Sequence, residues 1–246
     1  MTYTRVYHLL NADNGMSDIS LHRIHISRIR DINDPFEMLA VRADDKELIK
    51  VFQSAVDDLN RDNGLLCFSK RWCNPVLWSH YASKHCGICL GFDVANELLQ
   101  DVSYTKDRLP VRFVDGDSDK RLDEEFARDL LRTKYAHWQY EEEVRAFIEL
   151  DHSTIENGSY FYPFDGTVAL REVILGPLCE LPIQRIRELV HSVYERVAVI
   201  KARLAFKYFE VVPDEQSVKI ENAYWEQKGM PPLYKLSEPL PECNIV

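Results

Sequence analysis

Residues 65–93 constrain the fold of this chain more than any other segment. They begin with a short apolar strand at residues 65–69 and end with a second strand at residues 87–94. Between the strands, Asn74 is a favoured helix N-cap, and Pro75 suits the first helical position, where a backbone N–H is not needed. The segment therefore predicts a strand, a helix and a strand in turn, which is too short to be a domain on its own.

The rest of the chain combines helices and short strands in no regular alternation. The clearest helix is capped by Asp44 or Asp45 and runs to about Asn60, with apolar residues at the spacing of one helical face. No G-x-G-x-x-G or G-x-x-x-x-G-K-[ST] motif is present, which disfavours a doubly wound fold. We predict an α+β fold with a single domain over residues 1–212 and a C-terminal tail over residues 213–246 that can pack on the domain.

Four further segments have patterns that predict their secondary structure. We interpret residues 11–15 as a turn and residues 19–29 as a short strand pair. A helix is predicted at residues 119–135, with its charged side chains outward, and an alternating strand at residues 143–150. Beyond residue 213 the chain has no clear period.

Composition and charge limit the classes of function. The formal net charge is −10, which disfavours nonspecific binding of nucleic-acid phosphates over the whole surface. No apolar run approaches the roughly 18–20 residues of a membrane span, and residues 1–10 do not resemble a signal peptide. We therefore predict a cytoplasmic protein with no membrane partner. The oligomeric state and any protein or nucleic-acid acceptor are left open.

Three charged residues near one predicted strand are the main candidates for chemistry. Alternation places Glu141, Glu143 and Arg145 on one strand face, with the carboxylate-bearing residues roughly 6–7 Å apart between Cα atoms. Such a pair can raise the pKa of one member, or hold a sugar hydroxyl while the other accepts a proton. The alternative is a solvated face on which glutamate and arginine simply pair.

A group of cysteines and histidines invites a metal interpretation that we do not adopt. Cys86 and Cys89 form a C-x-x-C pair beside His80 and His85. The sequence between the two cysteines is strand-like, which would direct them to opposite faces, and there is no second C-x-x-C pair. We therefore predict buried thiols and no metal site.

Two rings on the predicted helix lie close in sequence to two cations. Trp78 and Tyr81 follow Ser69, Lys70 and Arg71, a combination that suits a flat ligand ring bearing phosphate, such as a small-molecule nucleotide. The alternative is packing in the core. We interpret Trp78 as a core residue and leave both interpretations open for Tyr81, which has a polar hydroxyl.

Several sequence blocks follow one another along the chain. They are Asn33-Asp34-Pro35-Phe36-Glu37, Cys67-Phe68-Ser69, Leu77-Trp78-Ser79-His80-Tyr81-Ala82, Trp138-x-x-Glu141-x-Glu143-x-Arg145 and Val173-Ile174-Leu175-Gly176. These blocks resemble a large bacterial family of domains of unknown function, and similar blocks occur in some abortive-phage-infection proteins. The resemblance runs from about residue 3 to residue 212 and implies no established activity.

A second pattern lies in the order of three segments. A strand with Tyr7 and His8 comes first, then a strand at residues 64–69 that leads to a helix with Tyr81, then a late strand that opens on Glu143. This order resembles the His–Tyr–Glu arrangement of ADP-ribosyltransferases. The resemblance implies a fold of split antiparallel β-sheets flanked by helices, with NAD bound as the substrate in a cleft.

The same resemblance implies a role for each site residue. His8 would hold the adenosine ribose, Ser69 would sit by the nicotinamide, and Tyr81 would stack on it. Glu143 would bind the nicotinamide-ribose hydroxyl and stabilise an oxocarbenium-like transition state. Glu141 would orient the acceptor.

Arg5 and Arg145 are further candidates, which would position phosphate. We therefore expect NAD-dependent ADP-ribosyl transfer, or NAD hydrolysis, in a bacterial defence or toxin context. One alternative is a non-enzymatic binding or regulatory module of a phage-defence system, in which the charges only pair. A second alternative is a metal-dependent nuclease that uses carboxylates such as Glu141, Glu143 and Asp34.

Overall fold

The computed structural model describes residues 1–37, 41–42, 46–110, 112, 114 and 124–234. These residues form two compact units, and both units contain helices and strands, which confirms the predicted α+β class. The first unit comprises the described parts of Met1–Ile24, Phe68–Asn96 and Pro163–Val246, and the second those of His25–Cys67 and Glu97–Tyr162. Among the described residues, no helix has the length and apolar character needed to cross a membrane.

The regular elements have the following bounds. The strands are β1 (Tyr3–Leu10), β2 (Arg23–Arg28), β3 (Val41–Arg42), β4 (Asn63–Ser69), β5 (Ile88–Ala95), β6 (Leu99–Asp101), β7 (Ser103–Thr105), β8 (Leu109–Pro110), β9 (Thr133–Tyr135), β10 (Glu143–Glu149), β11 (Tyr160–Pro163), β12 (Val168–Leu175), β13 (Ala198–Leu204) and β14 (Val211–Pro213). The helices are α1 (Ala12–Leu21), α2 (Lys46–Asp62), α3 (Pro75–Tyr81), α4 (Glu124–Leu131), α5 (Ile183–Val193) and α6 (Glu215–Gln227).

The first unit is built on the strand order β4–β1–β5–β12–β13–β14, with β4 represented by its last two residues. Strands β1 and β5 pair antiparallel along their whole length, and β12 pairs parallel with β13. Strand β5 is buried at almost every position. A strand covered on both faces needs a nearly continuous apolar sequence, which explains the apolar run that predicted β5.

In the second unit, β4 pairs with β2 and β10, and β10 also pairs with β6. Two short parallel pairs, β7 with β9 and β3 with β8, are also present. One core cluster of this unit contains Val41, Phe52, Val56, Phe126 and Leu130. Because Phe52 and Val56 are one helical turn apart, they share the buried face of α2.

The predictions for residues 65–93 are confirmed. Helix α3 begins at Pro75, and the Asn74 side chain caps it by accepting a hydrogen bond from the Val76 backbone N–H at 2.8 Å. Strands β4 and β5 flank this helix in sequence, as expected, and α2 confirms the amphipathic helix. The N-cap residue, the proline and the apolar pattern all favour the same elements in this segment. Local sequence signals were therefore sufficient to predict its secondary structure.

The predicted turn at residues 11–15 is wrong, because α1 (Ala12–Leu21) occupies this segment. The Asn11 side chain caps the helix by accepting a hydrogen bond from the Asn14 backbone N–H at 2.8 Å. Asparagine favours both turns and N-caps, and the tertiary structure selects the cap. The predicted strand pair at residues 19–29 is reduced to one strand, β2.

Gly15 contributed to the wrong prediction, but it has a packing role inside α1. A Cβ atom at this position would be only 3.1 Å from Ile88 Cδ1, on β5. Glycine therefore allows α1 to approach the central strand closely, at some cost in helix propensity.

The C-terminal part of the predicted helix at residues 119–135 is wrong, since Thr133–Tyr135 forms strand β9. Helix α4 confirms the middle of that prediction, and residues 119–123 lie outside the described part of the chain. Strand β9 pairs with β7, a contact between distant segments that a local pattern does not show.

The segment after β14 is not aperiodic, because α6 spans Glu215–Gln227. The Asp214 side chain caps this helix by accepting a hydrogen bond from the Ser217 backbone N–H at 2.8 Å. The buried face of α6 includes the polar residues Ser217 and Glu221, which weakens the apolar periodicity. The helix could therefore not be predicted from the apolar pattern. The division into a domain at residues 1–212 and a tail stays a prediction.

Candidate functional site

Five charged residues form a buried ion-pair group in the second unit, which we call the charge cluster. Its members are Glu37, Lys134, Glu141, Glu143 and Arg145, and their exposed fractions are 2%, 2%, 4%, 7% and 1%. Water hardly reaches these charges, so each one depends on partners within the protein. The cluster joins two sequence blocks, one ending at Glu37 and the other at Arg145.

Lys134 contacts all three carboxylates of the charge cluster. Its ammonium nitrogen lies 3.3 Å from Glu37 Oε1 and 3.0 Å from Glu143 Oε2, and it also donates to Glu141 Oε2. The indole ring of Trp138 lies 5.1 Å from the same nitrogen, within cation–π range. One ammonium group therefore holds three glutamates together.

Arg145 supplies the second positive charge. Its guanidinium binds both oxygens of Glu143, through Nε to Oε1 at 2.8 Å and through Nη2 to Oε2 at 3.0 Å. Nη2 also donates to Glu37 Oε2 at 2.5 Å, and Nη1 donates to the Leu131 carbonyl at 2.7 Å. All three guanidinium nitrogens therefore have acceptors.

The backbone before β10 explains how Glu141 and Glu143 both reach Lys134. Glu141 ends a 3-10 helix, and Glu142 follows in a left-handed conformation with φ of 43°. Alternation along a single strand is therefore not what aligns the two glutamates, because only Glu143 belongs to β10. The alternative of a solvated face is wrong because these residues are buried, although Glu143 and Arg145 do pair.

The charge cluster shifts the pKa values of two of its carboxyl groups in opposite directions. Burial acts to raise the pKa of Glu143, but the charge and hydrogen bonds of Arg145, and then of Lys134, lower it to about 2. For Glu37, burial outweighs the same two cations, and the pKa is raised. Glu143 is therefore a fixed anion, whereas Glu37 takes up a proton at a higher pH than an ordinary glutamate.

The charge cluster holds more negative than positive charge when every group is ionised, since three carboxylates share two cations. Oε1 of Glu37 is buried and accepts no hydrogen bond from any residue that the structure describes, so its 3.3 Å contact with Lys134 is an ion pair without hydrogen-bond geometry. A buried acceptor left unsatisfied costs about 1–3 kcal/mol. This oxygen therefore has room for a further donor or a proton.

A pocket of about 260 Å³ adjoins the charge cluster in the second unit, and we call it the ring pocket. Its lining includes Phe36, Glu37, Lys106, Arg108, Lys134 and Tyr135. Phe36 and Tyr135 are 60% and 47% exposed, and the Arg108 guanidinium lies 6.0 Å from the centre of the Phe36 ring. The ring pocket thus combines exposed rings and cations with two members of the charge cluster.

Strand pairing brings the walls of the ring pocket together. Strands β7 and β9 are parallel, with Thr105 opposite Tyr135. The Thr105 hydroxyl holds the following turn by accepting from the Asp107 backbone N–H at 3.1 Å and donating to the Asp107 carbonyl at 3.0 Å. This turn carries Lys106 and Arg108, so both cations are fixed near Tyr135.

Three of the residues predicted to bind the cofactor, Arg5, His8 and Ser69, divide between the two faces of the first-unit sheet. Ser69 is directly opposite Tyr7 on the paired strand and shares its face, and Arg5 lies on that face by alternation. His8 lies on the other face, where its ring contacts Phe68 at 6.1 Å between centroids. The cofactor role of these residues stays a prediction.

The rings of α3 have different environments. Tyr81 is half-buried at the end of the helix, with its ring 6.2 Å from that of His80. Trp78 is fully buried and donates through its indole N–H to the Trp72 carbonyl at 2.5 Å. Trp78 is therefore confirmed as a core residue, and the role of Tyr81 stays open.

The two cysteines before and within β5 also differ. Cys89 is fully buried, and burial raises the pKa of its thiol. Cys86 is exposed, so the prediction of a buried thiol is wrong there. The three residues before it, residues 83–85, all have positive φ, which places Cys86 in a turn and not in the strand. The described residues contain no group of His, Cys, Asp and Glu side chains arranged to hold a metal ion.

Glu37 and Lys134 are site residues that the sequence reasoning missed. The sequence presents Glu37 only as the last residue of the block at residues 33–37, and the predicted helix at residues 119–135 places Lys134 on its outer, charged face. The number of charges in this segment could have indicated a missing partner. If Glu141, Glu143 and Arg145 are all buried, one positive charge cannot balance two negative charges. A second buried cation was therefore required somewhere in the chain.

A second buried ion-pair group, which we call the helix cluster, lies in the first unit. Glu221 of α6 is fully buried; Arg187 donates to its Oε2 at 3.1 Å, and Trp225 Nε1 donates to its Oε1 at 2.8 Å. His191 Nε2 also lies 2.8 Å from Oε1. Arg187 donates further to the carbonyl and hydroxyl of Ser217. Both oxygens of Glu221 are therefore bonded, and one arginine balances one glutamate.

Residues 77–146 match a sequence family described as protein of unknown function (DUF2971). The match confirms the predicted resemblance to a family of unknown function, over less than a third of the chain. It includes Tyr81, Glu141, Glu143 and Arg145. No curated protein and no solved structure matches the chain. The family description names no activity, so ADP-ribosyl transfer stays a prediction.

Proposed function

We propose that the second unit binds a nucleotide-class small molecule in the ring pocket, with NAD as the first candidate ligand. The observation that carries this proposal is a single pocket in which exposed rings and exposed cations adjoin a buried group of carboxylates. Pockets of this kind, next to groups with displaced pKa values, are favoured positions for binding sites.

The lining of the ring pocket suits a ligand that has both a flat ring and phosphate. Phe36 and Tyr135 offer exposed ring surface, on which a base or a nicotinamide ring stacks favourably. Lys106 and Arg108 are exposed on one turn and suit phosphate oxygens. The volume of about 260 Å³ is just below the roughly 300–1,000 Å³ range of small-molecule sites, so it suits one half of a dinucleotide.

The reaction that we propose is cleavage of the nicotinamide–ribose bond of NAD, with transfer of ADP-ribose to an acceptor or to water. This bond breaks through an oxocarbenium-like state, which a nearby negative charge stabilises. Glu143 is ionised and supplies such a charge, and Glu141 is held beside it by Lys134. The ADP-ribosyltransferase-like sheet arrangement and a role in bacterial defence or as a toxin belong to the same proposal.

Lys134 must move before a ligand can reach the carboxylates. Glu37 and Lys134 are each only 2% exposed, so they close the base of the ring pocket. A ribose hydroxyl that donates to Glu37 Oε1 would satisfy the acceptor that has no hydrogen bond in the free protein. Binding would therefore improve the contacts of Glu37, and it must outweigh the bonds that a displaced Lys134 gives up to Glu141 and Glu143.

Calorimetric titration of the full chain with NAD tests the binding step. Arg108→Gln should weaken NAD binding about tenfold, because it removes one charged contact to phosphate. Arg61→Gln is the matched control, since Arg61 is exposed in the same unit and does not line the pocket, and it should leave binding unchanged. An equal loss in both variants, or no binding at millimolar NAD, contradicts the proposal.

Release of nicotinamide tests the reaction step. Glu143→Gln should abolish release while NAD still binds, and Glu149→Gln, at the exposed end of β10, should release nicotinamide at the wild-type rate. Wild-type protein that binds NAD but releases no nicotinamide would be a binding module and not an enzyme.

One observation favours that second candidate, a non-enzymatic binding or regulatory module. Both oxygens of Glu143 are already bonded to Arg145, and one is also bonded to Lys134, as in a structural ion pair. In this case Glu143→Gln lowers stability but changes no activity. The nuclease alternative gains no such support, because Glu141 and Glu143 are bonded to cationic side chains.

A further inference from the structure

A pocket of about 350 Å³ lies in the first unit, and we call it the arginine pocket. Its lining includes Arg5, Arg171, Glu172, Arg196, Leu233 and Tyr234. All six lie outside the segment that matches the family of unknown function. Only Arg5 was a candidate from the sequence, so the pocket is a feature of the fold and not of a motif.

A β-bulge builds one wall of the arginine pocket. The register between β12 and β5 shifts between Leu170 and Glu172, which makes Arg171 an extra residue in its strand. Bulges re-aim side chains, and Arg171 Nε donates to Asp93 Oδ2 at 2.9 Å. Asp93 Oδ1 also accepts from Arg5 Nε at 2.7 Å. One carboxylate therefore fixes two guanidinium groups side by side.

Among the residues that the structure describes, positive charge exceeds negative charge around the arginine pocket. Three arginines, Arg5, Arg171 and Arg196, face two carboxylates, Asp93 and Glu172. Burial acts to raise the pKa of Asp93, but the bonds and charges of the arginines lower it, so Asp93 is ionised at neutral pH. The surplus is notable in a chain whose net charge is −10, and it attracts an anion.

Arg196 is the arginine of this pocket most accessible to a ligand. It is exposed between α5 and β13, and no ion pair of Arg196 is found with any residue that the structure describes. Its φ of 55° is in the left-handed region, which fits a residue in the turn between α5 and β13.

Tyr234 gives the arginine pocket a ring. The Asn222 side chain holds the Tyr234 backbone through two bonds, by donating to its carbonyl at 2.7 Å and by accepting from its N–H at 3.2 Å. The Tyr234 hydroxyl donates to Glu172. A fixed ring beside the arginines provides packing surface for the uncharged part of a ligand.

We propose that the arginine pocket binds a phosphate-bearing small molecule, with the phosphate on Arg171 and Arg196 and the organic part against Leu233 and Tyr234. Guanidinium groups bind phosphate oxygens through paired hydrogen bonds, and a phosphate dianion more than neutralises the surplus charge. The volume of about 350 Å³ suits a small molecule, whereas a nucleic-acid strand needs a groove that follows its backbone. This site uses other residues than the ring pocket and does not depend on the proposed function.

Arginine modification by phenylglyoxal, read at each residue by peptide mass spectrometry, tests this site in the full chain with AMP as the probe. Millimolar AMP should slow the modification of Arg171 and Arg196 several-fold, and adenosine should not. Arg185, an exposed arginine of α5 outside the pocket, should react equally with and without AMP. Equal protection of Arg185, equal protection by adenosine, or no protection by AMP overturns the proposal.

Variants separate the arginine pocket from the ring pocket. In Arg196→Gln, the AMP concentration that half-protects Arg171 should rise about tenfold, since one charged contact is lost. It should not change in Arg185→Gln or in Arg108→Gln. A rise in Arg108→Gln would show that AMP acts through the ring pocket and would contradict an independent site. If a single-stranded oligonucleotide protects more strongly than AMP at equal phosphate concentration, the small-molecule assignment is wrong.

Discussion

The charge cluster and the helix cluster contain similar side chains but differ in charge balance. In the helix cluster, Arg187 matches Glu221, and both carboxylate oxygens are bonded. In the charge cluster, three carboxylates share two cations, and Glu37 Oε1 accepts no hydrogen bond. Each cluster contributes residues to a pocket, so the presence of a pocket does not distinguish the two.

The difference suggests how to separate a structural ion pair from a candidate ligand site. A balanced and fully bonded group gains nothing from a further partner. A group with excess charge and an open acceptor is stabilised when a ligand or a proton supplies the missing donor. Burial raises the pKa of Glu37, whereas the two cations lower the pKa of Glu143, and neighbouring carboxyl groups with separated pKa values are typical of functional sites.

Removal of the arginine from each cluster should have the largest effect on stability. The loss in the free energy of unfolding should differ between the two clusters. Arg145→Met leaves three carboxylates with one cation, and we expect the free energy of unfolding to fall by about 3–5 kcal/mol. Arg187→Met should cost less, about 1–3 kcal/mol, because Trp225 still donates to Glu221 and His191 still contacts it. Urea unfolding measures both losses. The exposed control Arg61→Met should change stability by less than about 0.5 kcal/mol, and equal losses in the two clusters would remove the distinction.

Removal of one carboxylate charge from each cluster should have an intermediate effect and again separate them. Glu221→Gln leaves Arg187 without its balancing charge, and we expect a loss of about 2–3 kcal/mol. Glu37→Gln leaves two carboxylates with two cations, and we expect a change within about 1 kcal/mol. Urea unfolding of both variants at neutral pH decides this. A larger loss for Glu37→Gln than for Glu221→Gln would contradict the account.

The dependence of stability on pH should separate Glu143 from Glu37 by the direction of the change. The pKa of Glu143 is lowered from 4.5 to about 2, so its contribution is full above pH 4.5 and is lost as the pH falls towards 2. The pKa of Glu37 is raised, so its contribution is full below its ordinary pKa and is lost as the pH rises through the raised value. The free energy of unfolding of wild type should therefore exceed that of Glu143→Gln by less as the pH falls. The free energy of unfolding of Glu37→Gln should increase relative to that of wild type as the pH rises. If the stability of both variants relative to wild type changes in the same direction with pH, the pKa values of Glu37 and Glu143 are not shifted in opposite directions.

Local signals predicted the elements around residues 65–93 but failed where two structures suit the same residues. Asn74 followed by Pro75 and an apolar helical pattern is typical of a helix start, and α3 begins there. Asn11 and Gly15 suit either a turn or a helix that packs closely, and only the contact with Ile88 decides between them. In α6, Glu221 on the buried face hid the amphipathic pattern, because its burial depends on Arg187 from another helix.

The candidate site was predicted in part. Glu143 and Arg145 could be selected from their spacing, because residues two apart on a strand share one face. Glu141 was selected by the same pattern, although it lies in the preceding 3-10 helix and reaches the cluster through the turn at Glu142. Glu37 and Lys134 reach the same place through tertiary contacts, so their positions do not follow from spacing. The pairing of β7 with β9, which brings Lys134 inward, joins segments that carry no common pattern.

A crystal structure of the full chain with NAD would show whether the ring pocket holds the ligand. We expect a ligand ring against Phe36 or Tyr135, phosphate near Lys106 and Arg108, and a donor bonded to Glu37 Oε1 with Lys134 displaced. An empty ring pocket at saturating NAD, with the charge cluster unchanged, would contradict it and would leave the charge cluster as a structural feature, like the helix cluster.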